Sequence, residues 1–184
     1  MKWIFIAIKA EAGETLFKMV SSLKSGLVNE SIRWTSLNNI HITLAFLGDT
    51  EENMIKMISS KLKGSCEGSG KFELTIRGTG VFKNLSDPRI IWAGIEPSEK
   101  LIQLYSTIID GLNEAGIKME QRPFKPHLTL GRIKYLNDKL SLKNLLDIYQ
   151  NAEIQKVPVN EVIIYESILK PTGPIYKPVA IFKL

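Results

Sequence analysis

The chain carries two histidines in 184 residues, and both head the same short pattern. His41-Ile42-Thr43-Leu44 and His127-Leu128-Thr129-Leu130 stand 127 − 41 = 86 positions apart. Along a strand, successive side chains point to opposite faces, so each His shares a face with its Thr while the apolar residues seat the strand on a core. An imidazole titrates near neutrality, so one ring can accept a proton while the other donates one. Threonine hydroxyls can donate hydrogen bonds to phosphate oxygens. Two imidazoles and two hydroxyls converging on one cleft suit in-line displacement at phosphorus. One His takes the proton of the attacking water and the other protonates the leaving alkoxide. Hydroxyls and a nearby cation can meet the charge on the phosphoryl oxygens, so the chemistry requires no metal.

The elements that must position these residues are written twice. Ile4-Phe5-Ile6-Ala7-Ile8 and Ile91-Trp92-Ala93-Gly94-Ile95 are short apolar runs that read as strands, offset by 91 − 4 = 87. Each leads into an amphipathic helix. The first carries Leu16, Met19, Val20, Leu23 and Leu27, the second Leu101, Leu104, Ile108 and Leu112, with Gly26 and Gly116 near the helix ends. The His strand follows in each half. Further helices read over 51–62 and 140–150, and 72–76 and 157–165 read as answering strands. Pro171-Thr172-Gly173-Pro174 reads as a turn before a last strand over 178–182. The order β-α-β-α-β twice predicts an α+β fold, a single bilobal domain over 1–184 with an internal pseudo-two-fold repeat and helices covering the sheet faces. Such symmetry would bring the two His strands face to face.

A lone strand histidine is more often structural than functional. Two copies, holding all the histidines of the chain at matching places in a repeat, favour catalysis. Zinc, the other common use of paired His, needs further ligands. No His-x-Glu or Cys-x-x-Cys flanks either copy, and Asp49 and Glu51 after the first have no counterpart after the second. No metal and no other cofactor is expected.

The net charge of +5 leans toward a polyanionic partner such as RNA. The single cysteine, Cys66, excludes an internal disulfide and suits a reducing compartment; its Gly-Ser-rich surroundings read as a loop. The apolar run at the N-terminus is too short for a signal core or a membrane span. A cytoplasmic monomer with no membrane contact and no obligate protein partner is expected.

The paired motifs resemble those of the two-histidine phosphoesterase superfamily, and more narrowly the RNA 2′,3′-cyclic phosphodiesterases, also called the 2′-5′ RNA ligase (LigT-like) family. His41-Ile42-Thr43-Leu44-Ala45-Phe46-Leu47-Gly48 is similar to the first family motif. Residues Arg122 to Arg132 are similar to the second, Pro88 to Gly94 to the middle strand, and Tyr165-Glu166-Ser167 with Pro171 to Tyr176 to the C-terminal signature. The resemblance implies antiparallel sheets lining a central cleft, and hydrolysis of 2′,3′-cyclic phosphate ends of RNA, or of small cyclic nucleotides, to 2′-phosphomonoesters. It implies His41 as the proton donor to the departing 3′ oxygen and His127 as the acceptor from water; the residues by themselves leave that choice open.

Five positions after the histidines the symmetry breaks, with Phe46 in one half and Arg132 in the other. In the family these positions look like an aromatic stacking on base or ribose and a phosphate-binding arginine, roles both side chains can fill. An odd offset faces away from the His on an ideal strand, so a bulge or a strand end must turn Arg132 inward. The plainer alternatives are a core Phe46 and a solvated Arg132. Arg122, Lys125 and Lys134 cluster around the second motif and can steer an RNA backbone. Two other functions stay open: end joining through the reverse reaction, and a non-catalytic RNA-binding module.

Overall fold

The computed structural model describes residues 1–119, 123–171 and 173–184. Among them run nine strands and four α-helices. In chain order these are β1 (Lys2–Lys9), α1 (Glu14–Gly26), β2 (Ser31–Trp34), β3 (His41–Thr50), α2 (Glu52–Cys66), β4 (Phe72–Phe82) and β5 (Ile90–Ile95). There follow α3 (Glu99–Glu114), β6 (His127–Tyr135), α4 (Lys139–Asp147), β7 (Glu153–Val159), β8 (Glu161–Lys170) and β9 (Gly173–Lys183). A short 3-10 turn, Leu37–Asn39, precedes β3.

Hydrophobic spacing explains the helices. Leu16, Met19, Val20 and Leu23 of α1, and Leu101, Leu104, Ile108 and Leu112 of α3, are buried on one face of each helix. Ser98 caps α3 by accepting from the Leu101 N–H at 3.2 Å, and Asp138 caps α4 by accepting from the Ser141 N–H at 2.9 Å. All four helices feed one continuous apolar cluster, through Leu16, Ile58, Leu104 and Leu142 among others. Burying each such side chain contributes about 1.5–3 kcal/mol. The cluster covers a single face of the sheet, so the opposite face is left for the histidines.

The strands form one antiparallel sheet in the order β7-β4-β5-β6-β3-β1-β8-β9, with β2 pairing β6 off this path. Its two halves meet where Ile42 of β3 pairs with Leu128 of β6. The sheet is forced to curl. β7 and β8 lie six strands apart, a span of about 29 Å if flat at the usual ~4.8 Å spacing, yet Asn160 alone connects them. One residue reaches about 3.3–3.6 Å, so the sheet must bend round to bring the two strands together.

Four details differ from the sequence expectation. The run 157–165 is two strands, broken at Asn160, that pair with opposite halves of the sheet. Cys66 is not in a loop but ends α2, fully buried, because Ile58, Leu62 and Cys66 continue the apolar face of that helix past Gly64 and Ser65. The last strand begins at Gly173, so its turn is tighter than the four residues expected, and Thr172 lies outside the described residues. Register sets the equivalent positions of the opening strands at Ala7 and Trp92, which face Thr43 and Thr129 and are 92 − 7 = 85 apart rather than 87. An even slip keeps every side chain on its face.

Candidate active site

Each histidine opens its strand, held by the same local device. The Nδ1–H of His41 donates to the Asn39 carbonyl at 2.7 Å, and that of His127 to the Lys125 carbonyl at 2.7 Å. A carbonyl can only accept, so both rings carry their proton on Nδ1 when neutral and leave Nε2 free as an acceptor. In both halves the accepting carbonyl belongs to the residue two positions before the His. Ile42 and Leu128 are fully buried beneath, whereas His41, Thr43, His127 and Thr129 are half-buried on the other face.

Extending the register one step to either side of the Ile42–Leu128 pair sets His41 across from Thr129 and Thr43 across from His127. A local two-fold thus relates the two His-Thr sets about the joint of the sheet. Aromatic walls flank both rings. Phe5 lies 4.9 Å from His41 and Tyr176 stands edge-on to it at 5.2 Å. Phe82 stands edge-on to His127 at 4.7 Å. Burial against these walls pushes both imidazoles below their ordinary pKa; the backbone carbonyls pull the other way. The Arg132 guanidinium lowers both further, and His127 also lowers His41.

Matching bulges explain the fifth position. Between Ile6 and Ala7 of β1 the partner skips from Ala45 to Thr43, and between Ile91 and Trp92 of β5 it skips from Gly131 to Thr129. Leu44 and Leu130, each three residues after a His, are the extra residues. Each bulge inverts the alternation, so Phe46 and Arg132 come round to the histidine face. Phe46 is exposed at 59%, not a core residue.

A cleft of about 860 Å³ opens over this face. His41, Thr43, Phe46, Thr129 and Arg132 line it. His127 does not; it lies two residues beyond Thr129 on the same face of β6. Lys125 and Lys134 are exposed and do not line the cleft, and Arg122 lies outside the described residues. Among the described residues no three His, Cys, Asp or Glu side chains gather to hold a metal ion, and no helix is long and apolar enough to cross a membrane.

Several cleft residues escape a reading of the sequence. Phe5 reads there only as part of a buried strand, and Tyr176 only as part of a C-terminal signature. β2, with Arg33 and Trp34, is missed altogether; its four residues give too short a pattern to read. Trp34 packs beside Gly131, where a Cβ would come within 3.1 Å of the indole. The glycine at that position of the second motif is the signal that another element crosses there.

Known proteins share this sequence pattern and fold. The family model described as the 2′-5′ RNA ligase superfamily matches residues 35–168. An RNA 2′,3′-cyclic phosphodiesterase of Thermotoga maritima is 37% identical over 94% of this chain and 90% of its own. Another from Methanothermobacter thermautotrophicus is 32% identical over 98% of this chain and 97% of its own. A crystal structure from Thermus thermophilus superposes with a TM-score of 0.79 at 25% identity, covering 100% of this chain and 98% of that one. A matching family model over most of the chain, relatives at this identity over nearly full length, and a shared fold place the chain in one family: it belongs to the 2′-5′ RNA ligase superfamily.

Proposed function

We propose that the chain is an RNA 2′,3′-cyclic phosphodiesterase in which His41 and His127 act as acid and base on one phosphorus. The observation that carries the assignment of these residues is the duplicated ring geometry: same face, same Nδ1–H donation to a carbonyl, and both Nε2 atoms without a partner among the described residues. In this mechanism water attacks phosphorus as His127 Nε2 accepts its proton. The bond from phosphorus to the 3′ oxygen breaks, and His41 Nε2–H protonates that oxygen. The product is a 2′-phosphomonoester with a free 3′ hydroxyl. The family resemblance carries the choice of donor and acceptor, to which a near-two-fold site is indifferent.

Thr43 and Thr129 donate to the non-bridging oxygens in this reading, and Arg132 offsets the charge gathering on them. Phe46, exposed at the cleft, stacks on the base or ribose of the terminal nucleotide. RNA ends and small cyclic nucleotides present the same reacting group. The whole chain acts as one bilobal domain and as a monomer, and its single buried thiol suits the cytoplasm.

The test is turnover of a nucleoside 2′,3′-cyclic phosphate in excess chelator, with the product identified. Continued turnover to the 2′-phosphate supports the reading. Loss of turnover with chelator would restore a metal mechanism, and a 3′-phosphate product would reverse the regiochemistry.

A further inference from the structure

β2 and β6 pair with Arg33 directly opposite Arg132. Residues opposite each other on antiparallel strands project to one face, with Cβ atoms about 4.5–5.5 Å apart. Both side chains are exposed and both line the cleft. Among the described residues neither guanidinium reaches a carboxylate, whereas Arg77 holds two and Arg89 one. Like charges directly opposite destabilise a strand pair. The packing of β2 does not call for arginine here. Ile32 and Trp34 make the apolar contacts against Gly131 and the core, and Arg33 stands between them facing the cleft. The charge pair therefore costs the empty protein stability, and an anion in the cleft removes that cost.

In the bound ground state, one cyclic phosphate is too little anion for the cations present. It carries a single negative charge, and Arg132 with one protonated imidazole already faces it. Arg33 adds a positive charge beyond that set. An RNA end has the balancing group one nucleotide away, in the phosphodiester on the 5′ side of its terminal residue. The cleft continues beside Arg33, where Trp34, Thr35 and Ser36 line it next to the arginine pair.

We infer that Arg33, beside Arg132, binds the phosphodiester on the 5′ side of the terminal nucleotide and so selects RNA ends over mononucleoside cyclic phosphates. This rests on the cyclic phosphodiesterase reading above and names a specificity residue within it. The test compares uridine 2′,3′-cyclic phosphate with the dinucleotide ApU ending in a 2′,3′-cyclic phosphate. The wild-type protein prefers the dinucleotide by about tenfold in kcat/KM, chiefly through KM, and added salt shrinks the preference. Arg33→Gln brings the two substrates close to parity, and Arg33→Lys keeps part of the gap. Without ligand, the Tm of Arg33→Gln stays level or rises, because a repulsion has been removed. Equal losses on both substrates, no wild-type preference, or a lowered Tm would each overturn the inference. If the wild-type protein turns over neither substrate, the cyclic phosphodiesterase reading itself falls, and this inference with it.

Discussion

Ile42 and Leu128 face each other at the joint of the sheet, the one register pair between β3 and β6 among the described residues. Both are fully buried. The pair does for this protein what a two-fold axis does for a dimer. It turns two copies of one motif toward each other, and it does so from the core side, beneath the residues it positions. The placement of the two His-Thr sets thus rests on a joint whose side chains are both apolar.

Ile42→Ala is therefore a test of function as well as stability. Truncating a fully buried Ile costs about 2–5 kcal/mol. The expected result is a fall in kcat even where the variant remains folded, because the His-Thr sets lose their common seat. Chemical denaturation paired with single-turnover kinetics checks it. Loss of stability with kcat intact would show that the joint does not set the ring geometry.

His41→Ala and His127→Ala each remove most turnover, by about 10²–10⁴-fold as expected for a positioned acid or base. The double variant loses little more than either single one, since the pair acts as a unit. Both rings are only half-buried, so circular dichroism and Tm stay near wild type. Multiplying losses in the double variant would mean that the rings work independently.

The pH dependence follows from burial and from Arg132, which hold both imidazoles below 6.5. One ring must be protonated and the other neutral, so kcat/KM is bell-shaped with its maximum below about pH 6.5. An anionic substrate favours the charged ring, so the kcat profile shifts to higher pH than that of kcat/KM. Arg132→Gln removes one downward push, and both rings titrate at higher pH by NMR. An unchanged titration in that variant would place Arg132 away from the rings.

The same depressed values tie stability to pH. The unfolded chain protonates its histidines near 6.5, before the folded protein does, so acid favours unfolding. Stability is complete above about pH 6.5 and declines as pH falls from there toward the folded values. Urea midpoints measured between pH 7 and pH 5 fall in the wild-type protein, and fall less when both histidines are replaced by alanine. Equal slopes would assign the acid sensitivity to other groups.

Gly131→Ala tests how β2 docks. The added Cβ meets the Ile32 side chain at 3.0 Å and the Trp34 indole at 3.1 Å, so these side chains must shift by a few tenths of an ångström, and β2 with them if the core holds them in place. Overpacking of this kind costs about 1–3 kcal/mol. Denaturant midpoints and hydrogen exchange at Ile32 and Arg33 report it; unchanged protection there would mean β2 absorbs the methyl without moving.

The placement of the candidate site is legible in the sequence because it is local and repeated: His-x-Thr-Leu twice states the residues, their shared face and their core-side seats. The need for a bulge before Arg132 was legible too, because an odd offset cannot share a face otherwise. The same odd offset demands a bulge before Phe46. What the sequence hid is set by partners rather than by pattern. β2 is a strand only because β6 borders it, and Arg33 gains meaning only from Arg132 across the register. The break at Asn160 looks like continuous strand because β7 and β8 are each good strands; only the curl of the sheet separates them. Cys66 looked like loop because Gly64 and Ser65 outweigh a helical face completed from Ile58 and Leu62.

A crystal structure with a uridine–vanadate complex, a mimic of the five-coordinate phosphorus, tests the central claim most directly. The predicted result is His41 Nε2 and His127 Nε2 each within about 2.6–3.2 Å of opposite apical oxygens, with both Nδ1–H bonds to Asn39 and Lys125 retained. A vanadate held by one ring, with the other turned away or contacting an equatorial oxygen, would contradict it.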